Sequence, residues 1–213
     1  MNDAVKEIAE AILNFDHAGI EQKVRAALES GADAQTILND GMIRTMGEVG
    51  RRFEEGEFFI PEMLLAATTM EKGLAVLQPR LVQAGARPAG TVVIGTVKGD
   101  LHDVGKSLVA MMFRGAGFEV VDLGVDVPPE QFVEKARSHK ADIVAMSALL
   151  TTTMTGMKST IEALREAGLR KRVKVMVGGA PLSDAYAREI GADGYAPDAA
   201  SAVDVVKELL GVA

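Results

Sequence analysis

The sequence predicts a doubly wound α/β domain, built on a parallel five-stranded sheet and preceded by an antiparallel four-helix bundle. Two observations predict this. Up to about residue 84, apolar side chains recur at steps of three and four; from about residue 91, short β-branched runs alternate with helical stretches. Between them, Gln83-Ala-Gly-Ala-Arg-Pro-Ala-Gly90 follows neither rhythm and has the Gly, Ala and Pro content of a connector. The expected organisation is a helical domain over 1–84, a linker over 85–90 and an α/β domain over 91–213.

The helical half resolves into four stretches. Val5, Ile8, Ala9 and Ile12 share one helical face, as do Ile20, Val24, Ala27 and Leu28. Asn14–Gly19 and Ser30–Asp33 read as the turns between helices. A third helix is expected over about Asp33–Glu54, with Ile37, Leu38, Met42, Met46 and Val49 inward and Gly56 as its stop. Pro61 suits the first turn of a fourth, which carries Met63, Leu64, Ala67, Met70, Leu74 and Leu77. Short helices joined by short turns pack as an antiparallel bundle.

In the second half, strands are expected at Thr91–Thr96, Phe118–Leu123, Asp142–Ser147, Val173–Val177 and Gly194–Ala196. Helices are expected near Ser107–Arg114, Pro129–Ser138, Thr153–Ala167, Ser183–Ile190 and Ala199–Leu210. Strands apolar on both faces and separated by helices make a parallel sheet covered on both sides. Ligands of such sheets bind beyond the carboxyl ends of the strands, so the loops after the strands are where chemistry is sought.

Composition removes several classes. The net charge is −7 and no Lys/Arg run stands out, which argues against nucleic acid as a partner. The chain has no cysteine, so disulfides, thiolate metal sites and cysteine nucleophiles are excluded. The first residues, MNDAVKEIAEAIL, lack the basic start and apolar core of a signal peptide, and no apolar run has membrane-spanning length. A cytoplasmic location without a membrane partner is expected.

Three loops carry candidate chemistry. The first, Val97-Lys-Gly-Asp-Leu-His-Asp-Val-Gly105, sets His102 two residues after Asp100 among glycines. A metal-binding histidine commonly gives its second ring N–H to a carboxylate, which fixes the tautomer and raises the basicity of the ligating nitrogen. Gly99 and Gly105 permit sharp turns and close approach of a bulky ligand. A surface pair without function fits the same residues equally well. A zinc site is less attractive, because His17 and His139 fall on distant segments, where they read as solvated side chains. The second loop, Met146-Ser-Ala-Leu-Leu-Thr-Thr-Thr-Met154, offers hydroxyls that could bond a ligand, bond Asp100 or cap the next helix. The third, Val177-Gly-Gly-Ala-Pro181, removes side chains at the sheet edge and on its own reads as a tight strand-to-helix turn.

Together these loops resemble the cobalamin-binding domain of methionine synthase and of the corrinoid proteins of methanol, methylamine and related methyltransferase systems. The shared pattern is Asp-x-His-x-x-Gly after the first strand, Ser-x-Leu after the third and Gly-Gly after the fourth. This chain has Asp100-Leu-His102-Asp103-Val104-Gly105, Ser147-Ala-Leu149 and Gly178-Gly179 in that order. Gly95-Thr-Val-Lys-Gly-Asp-Leu-His-Asp-Val-Gly-Lys106 and Val121-Asp-Leu-Gly-Val-Asp-Val-Pro128 extend the resemblance. In the helical half, Met46-Gly-Glu-Val-Gly-Arg-Arg-Phe-Glu-Glu-Gly-Glu-Phe-Phe-Ile-Pro-Glu-Met63 resembles the module that caps the upper face of the corrin.

The resemblance implies a flavodoxin-like cofactor domain that binds cobalamin base-off, as methylcobalamin or another corrinoid. His102 would be the lower ligand to cobalt and Asp100 its hydrogen-bond partner. The family's relay often continues to a serine, where this chain has Thr153. Ser147 and Thr151 would bond the nucleotide tail, and Gly178 and Gly179 would make room for it. Phe53, Ile60 and Met63 would shield the upper face, or belong only to the bundle core. The implied function is a methyl carrier, not catalytic alone. It would shuttle a methyl group on cobalt between a substrate-specific methyltransferase and an acceptor methyltransferase that uses tetrahydrofolate or a thiol. A reductive activator is a further candidate partner. The rivals are a cobalamin-dependent sensor and the small subunit of an adenosylcobalamin mutase. The methyl donor, the natural tail and the oligomeric state are not encoded in any motif.

Overall fold

The computed structural model describes residues 3–85 and 87–212; Ala86 of the expected linker lies outside the described residues, as do Met1, Asn2 and Ala213. The chain divides into two compact units, Met1–Arg87 with Arg114–Gly117, and Pro88–Phe113 with Phe118–Ala213.

The first unit is helical: α1 (Asp3–Leu13), α2 (Ile20–Glu29), α3 (Ala34–Thr36), α4 (Arg44–Glu54) and α5 (Ile60–Gln83). Val5, Ile8, Ile12, Ile20 and Val24 are fully buried, as their spacing requires. Asp33 opens the third stretch as a helix cap, its side chain accepting from Thr36 N–H at 2.9 Å. The expected third helix is continuous in outline but not in winding. Ile37–Ile43, between α3 and α4, is a π-helix. The buried Ile37 and Met42 stand five residues apart within it, the repeat of i to i+5 bonding, which a search for steps of three and four does not look for. Gly41 sits inside it against Val5, where a β-carbon would lie 3.2 Å from Val5 Cγ1.

The second unit is a five-stranded sheet in the order β2-β1-β3-β4-β5, every pairing parallel. Its strands are β1 (Thr91–Thr96), β2 (Glu119–Asp122), β3 (Ile143–Ser147), β4 (Lys174–Gly178) and β5 (Gly194–Ala196). The helices between them are α6 (Val104–Gly115), α7 (Pro129–Ser138), α8 (Thr155–Glu166), α9 (Asp184–Ile190) and α10 (Ala199–Leu210). Pro128 and Pro129 start α7, and Ser183 and Asp198 cap α9 and α10 with their side chains. The central strands β1, β3 and β4 are apolar on both faces, as expected. β2 is not: Glu119 and Asp122 are exposed, because this strand pairs only with β1 and forms an edge.

This strand order changes direction at β1 and β3, and a parallel sheet opens a crevice where it does so. The loops after those two strands therefore leave side by side. Phe132 of α7 is fully buried over β1, and a β-carbon on Gly95 would lie 2.9 Å from its ring. Gly95→Ala is therefore expected to displace that ring and cost about 1–3 kcal/mol of stability, read from the denaturant midpoint at unchanged slope. An unshifted midpoint would mean that the ring and strand do not constrain one another.

Candidate functional site

Asp100 is completely buried in the loop after β1. A buried carboxylate is costly unless donors surround it, and here four do. Its Oδ1 accepts from His102 N–H at 3.0 Å and lies 2.7 Å from His102 Nδ1. Its Oδ2 accepts from Leu149 N–H at 2.8 Å and from the Thr153 hydroxyl at 2.6 Å. The Leu150 carbonyl, 3.0 Å from the same hydroxyl, competes for that proton, but the carboxylate is nearer and charged. Burial pushes the Asp100 carboxyl up, yet the hydrogen bonds from Thr153, Leu149 and His102 outweigh it and hold the group far below the ordinary carboxylate range.

The charge state decides the tautomer of His102. An ionised Asp100 only accepts, so Nδ1 carries the ring proton and donates it. Nε2 is left with its lone pair free, on a side chain that is 49% exposed. A neutral imidazole in this state is ready to bind a metal through Nε2.

The loop's backbone is fixed as well. Gly99 adopts φ +83°, a conformation that favours glycine, and its N–H donates to Asp126 Oδ1 at 2.7 Å. The hydroxyl of buried Thr96 donates to the His102 carbonyl at 2.9 Å. Lys106, also buried, bonds Asp122 at 2.5 and 2.7 Å and Asp103 at 2.8 Å. Asp103 in turn accepts from the Ser107 hydroxyl at 2.8 Å. Among the described residues, large apolar side chains are exposed on these same loops: Leu101 at 72%, Val104 at 70%, and Leu149 and Leu150 at 43% each.

The structure thus brings together Asp100, His102, Asp103, Leu149 and Thr153. Val104 and Gly105 open α6 beside them, and Ser147 ends β3 with Thr151 exposed in the loop that follows. Gly105 and Gly179 differ in kind. A β-carbon on Gly105 would meet nothing within 4 Å, so no contact within the protein requires glycine in that first helical turn. Gly179, at φ +135°, would place a β-carbon 1.9 Å from the Ala148 carbonyl, and one on Gly178 would lie 3.1 Å from the Ala196 carbonyl. The glycine pair therefore admits the protein's own backbone. In the helical unit Met63 is fully buried, Phe53 half-buried and Ile60 45% exposed, with Phe59 beside it at 64%. His139 is exposed as expected, but His17 is not simply solvated: its Nε2 lies 2.9 Å from the Thr68 hydroxyl in a half-buried contact.

Sequence reasoning missed Thr96, Asp122 and Asp126, and gave Lys106 no role. Thr96 reads only as the last residue of a strand, and Asp126 (φ +54°) as one more acidic residue of a loop. Their significance arises from β2 lying beside β1, which no local pattern states.

A B12 binding domain model matches residues 90–204, and a second B12 binding domain model matches residues 4–78. The chain belongs to the family of B12-binding corrinoid proteins. It is 45% identical to a dimethylamine corrinoid protein of Methanosarcina barkeri, over 98% of each chain, and 41% identical to a corrinoid protein of Desulfitobacterium hafniense, over 96% of each. Two solved structures share its architecture. One is a cobalamin-binding protein from Desulfitobacterium hafniense (TM-score 0.79, 32% identity, 96% of this chain and 98% of that one). The other is a methanol:cobalamin methyltransferase complex from Methanosarcina barkeri (TM-score 0.89, 29% identity, 99% of this chain and 80% of that one).

The cofactor of this corrinoid protein is a cobalamin, and the residues present suit it. They supply an imidazole with one free nitrogen and no cluster of three or more acidic or histidine side chains that could hold a bare ion among the described residues. They also supply an apolar rim and an uncovered glycine where a wide planar macrocycle would need them.

Because Asp100 is depressed in the folded state, its contribution to stability is full above the unfolded value near 3.8 and is lost as pH falls toward its lower folded value. Thr153→Val removes one hydrogen bond to the charged form and raises that folded value. It is expected to cost about 1.5–3 kcal/mol at neutral pH and to move the acid-unfolding midpoint upward, measured by circular dichroism. Thr153→Ser, which keeps the hydroxyl, is expected to retain most of both. Equal acid midpoints for the valine variant and the parent would remove Thr153 from the network.

Proposed function

We propose that this corrinoid protein is a methyl carrier that holds cobalamin base-off, with His102 Nε2 on cobalt. The observation that carries the reading is the chain of contacts from Thr153 through Asp100 to His102, which engages Nδ1 and leaves Nε2 free of it on a half-exposed ring. The bound cobalamin supplies the cobalt centre that takes up and releases the methyl group.

The chain's own residues hold and tune. Asp100 keeps the Nδ1 proton of His102 in place and makes Nε2 a better donor. Thr153 and Leu149 N–H keep Asp100 ionised and aligned. Leu101, Val104, Leu149 and Leu150 exclude water along the apolar rim, and Asp103 and Gly105 shape its approach. Ser147 and Thr151 bond the nucleotide tail beside Gly178 and Gly179. Residues 1–84 serve as the cap, 85–90 as its linker and 91–213 as the cofactor domain. Phe53 and Ile60 are the accessible shielding side chains of the cap. Met63 belongs to the same shielding set and is fully buried in this structure.

A carrier of this kind serves a substrate-specific methyltransferase and passes the methyl group to an acceptor methyltransferase acting on tetrahydrofolate or a thiol. A reductive activator completes the set. The likeness to one solved methyltransferase complex and to methylamine corrinoid proteins supports partners of this class.

Holoprotein reduced to cobalt(II) is expected to show nitrogen hyperfine coupling from the protein in its electron paramagnetic resonance spectrum, and His102→Ala is expected to abolish it. Survival of the coupling would overturn the ligand assignment. In a turnover assay with protein, methyltransferase and donor omitted in turn, methylation of the cofactor is expected only when all are present. Rapid methylation by protein and donor alone would require a catalytic centre in this chain.

A further inference from the structure

We propose that Lys106 is a positioning residue for the cobalt ligand: its buried ammonium clamps Asp103, the neighbour of His102, to Asp122 at the end of β2. The inference rests on the reading of His102 as that ligand.

The His102 ring is 49% exposed, so packing alone does not fix it. Its position depends on the backbone that carries it. That backbone is held on one side by Asp100, which accepts the His102 N–H, and by Thr96, which donates to the His102 carbonyl. On the other side stands Asp103, whose carbonyl accepts the first bond of α6 from Ser107 N–H at 2.8 Å. Asp103 is itself more than half exposed and would turn toward water if nothing restrained it. Lys106 restrains it. The ammonium lies one helical turn further on, 2% exposed, with Asp103 at 2.8 Å and both oxygens of Asp122 at 2.5 and 2.7 Å.

An ammonium this deeply buried is costly unless well paired. Two carboxylates on one ammonium answer that need, and they do so across strands. Asp122 closes β2, and its Oδ1 also accepts the Gly124 N–H at 2.9 Å. Gly124 in turn receives Thr96 N–H through its carbonyl at 3.0 Å. The clamp therefore refers the first turn of α6 to the strand pair β1–β2, and the ligand loop lies between those two anchors. Removing the positive charge leaves two carboxylates facing each other without a cation, Asp103 keeping only the Ser107 hydroxyl and Asp122 only the Gly124 N–H. The repulsion is relieved by moving Asp103, the more exposed of the two, and His102 moves with it.

The test uses full-length holoprotein variants: Lys106→Met, Asp122→Asn, His102→Ala and Arg170→Met. Asp122→Asn removes the charge while its amide oxygen still accepts from Gly124. Arg170→Met breaks a partly buried ion pair with Asp193, at the amino end of the sheet, and reports general loosening. The readouts are the thermal midpoint, the cobalamin dissociation constant and the protein-nitrogen coupling of the cobalt(II) spectrum. Lys106→Met is expected to lower the fraction of coupled cobalt and to weaken cobalamin binding about tenfold. Asp122→Asn is expected to do the same to a smaller degree, and Arg170→Met to lower the midpoint alone.

Full coupling and parental affinity in both Lys106→Met and Asp122→Asn, with coupling lost in His102→Ala, would overturn the clamp and leave the ligand intact. Coupling that survives His102→Ala would overturn the ligand reading and the clamp with it. If Lys106→Met does not fold, Asp122→Asn decides by the same criteria. A spectrum altered equally by Arg170→Met would reduce the effect to general destabilisation and overturn the proposal.

Discussion

Everything at this site depends on one buried charge. Asp100 is fully enclosed, and an enclosed carboxylate is tolerated only where donors converge on it. Two donations come from His102, in its own loop, and two from the loop after β3, through Leu149 and Thr153. Neither loop could satisfy it alone. The sheet makes the meeting possible by placing β1 directly beside β3, with Thr96 in register with Ser147. The strand order thus reaches the chemistry through one imidazole: the carboxylate it encloses fixes which ring nitrogen of His102 is engaged, Nδ1, and which is left free of it, Nε2.

Much of this was legible in the sequence. Five strands and their helices are announced by apolar runs and capping residues, and β1, β5, α7 and α10 coincide with the expected spans. The Asp100-x-His102 motif identified the central pair, and Thr153, standing where the family's relay often has a serine, does reach Asp100. What was not legible has a common physical character. Leu149 contributes a backbone N–H, which no side-chain motif encodes. Asp122 and Asp126 act across strands, on partners 16 and 27 residues away in sequence, and Thr96 folds its own loop back by bonding a backbone carbonyl 6 residues on. The π-helix at Ile37–Ile43 escaped because its wider repeat is not one of the steps of three and four that mark an α-helix.

The glycines differ in what the fold asks of them. The resemblance gives Gly178 and Gly179 the task of making room for a nucleotide tail, and a side chain at either would also press on a carbonyl of the protein itself. Their first service is to let the loops after β3, β4 and β5 close on one another. At Gly105, expected from the sequence to permit close approach of a ligand, the space is open. Glycine in a helix costs roughly 1 kcal/mol relative to alanine, and no contact within the described residues calls for it there.

The same logic extends to the apolar rim. Leu101, Val104, Leu149 and Leu150 sit in water on loops whose backbones are otherwise tightly bonded. Burying apolar surface gains about 25 cal/mol per Å², and a flexible loop would use that gain by folding its leucines inward. These loops cannot, because Asp100, Asp126, Thr96 and the Lys106 pairings hold their backbones in place. The hydrogen-bond network therefore has a second consequence besides orienting His102: it keeps apolar side chains exposed that would otherwise collapse. A ligand that covers them gains the burial without the cost of ordering the loops, since the loops are ordered already. Rigidity around one buried carboxylate therefore has two products here, an imidazole held by one ring nitrogen with the other left free, and a standing apolar surface on the neighbouring loops.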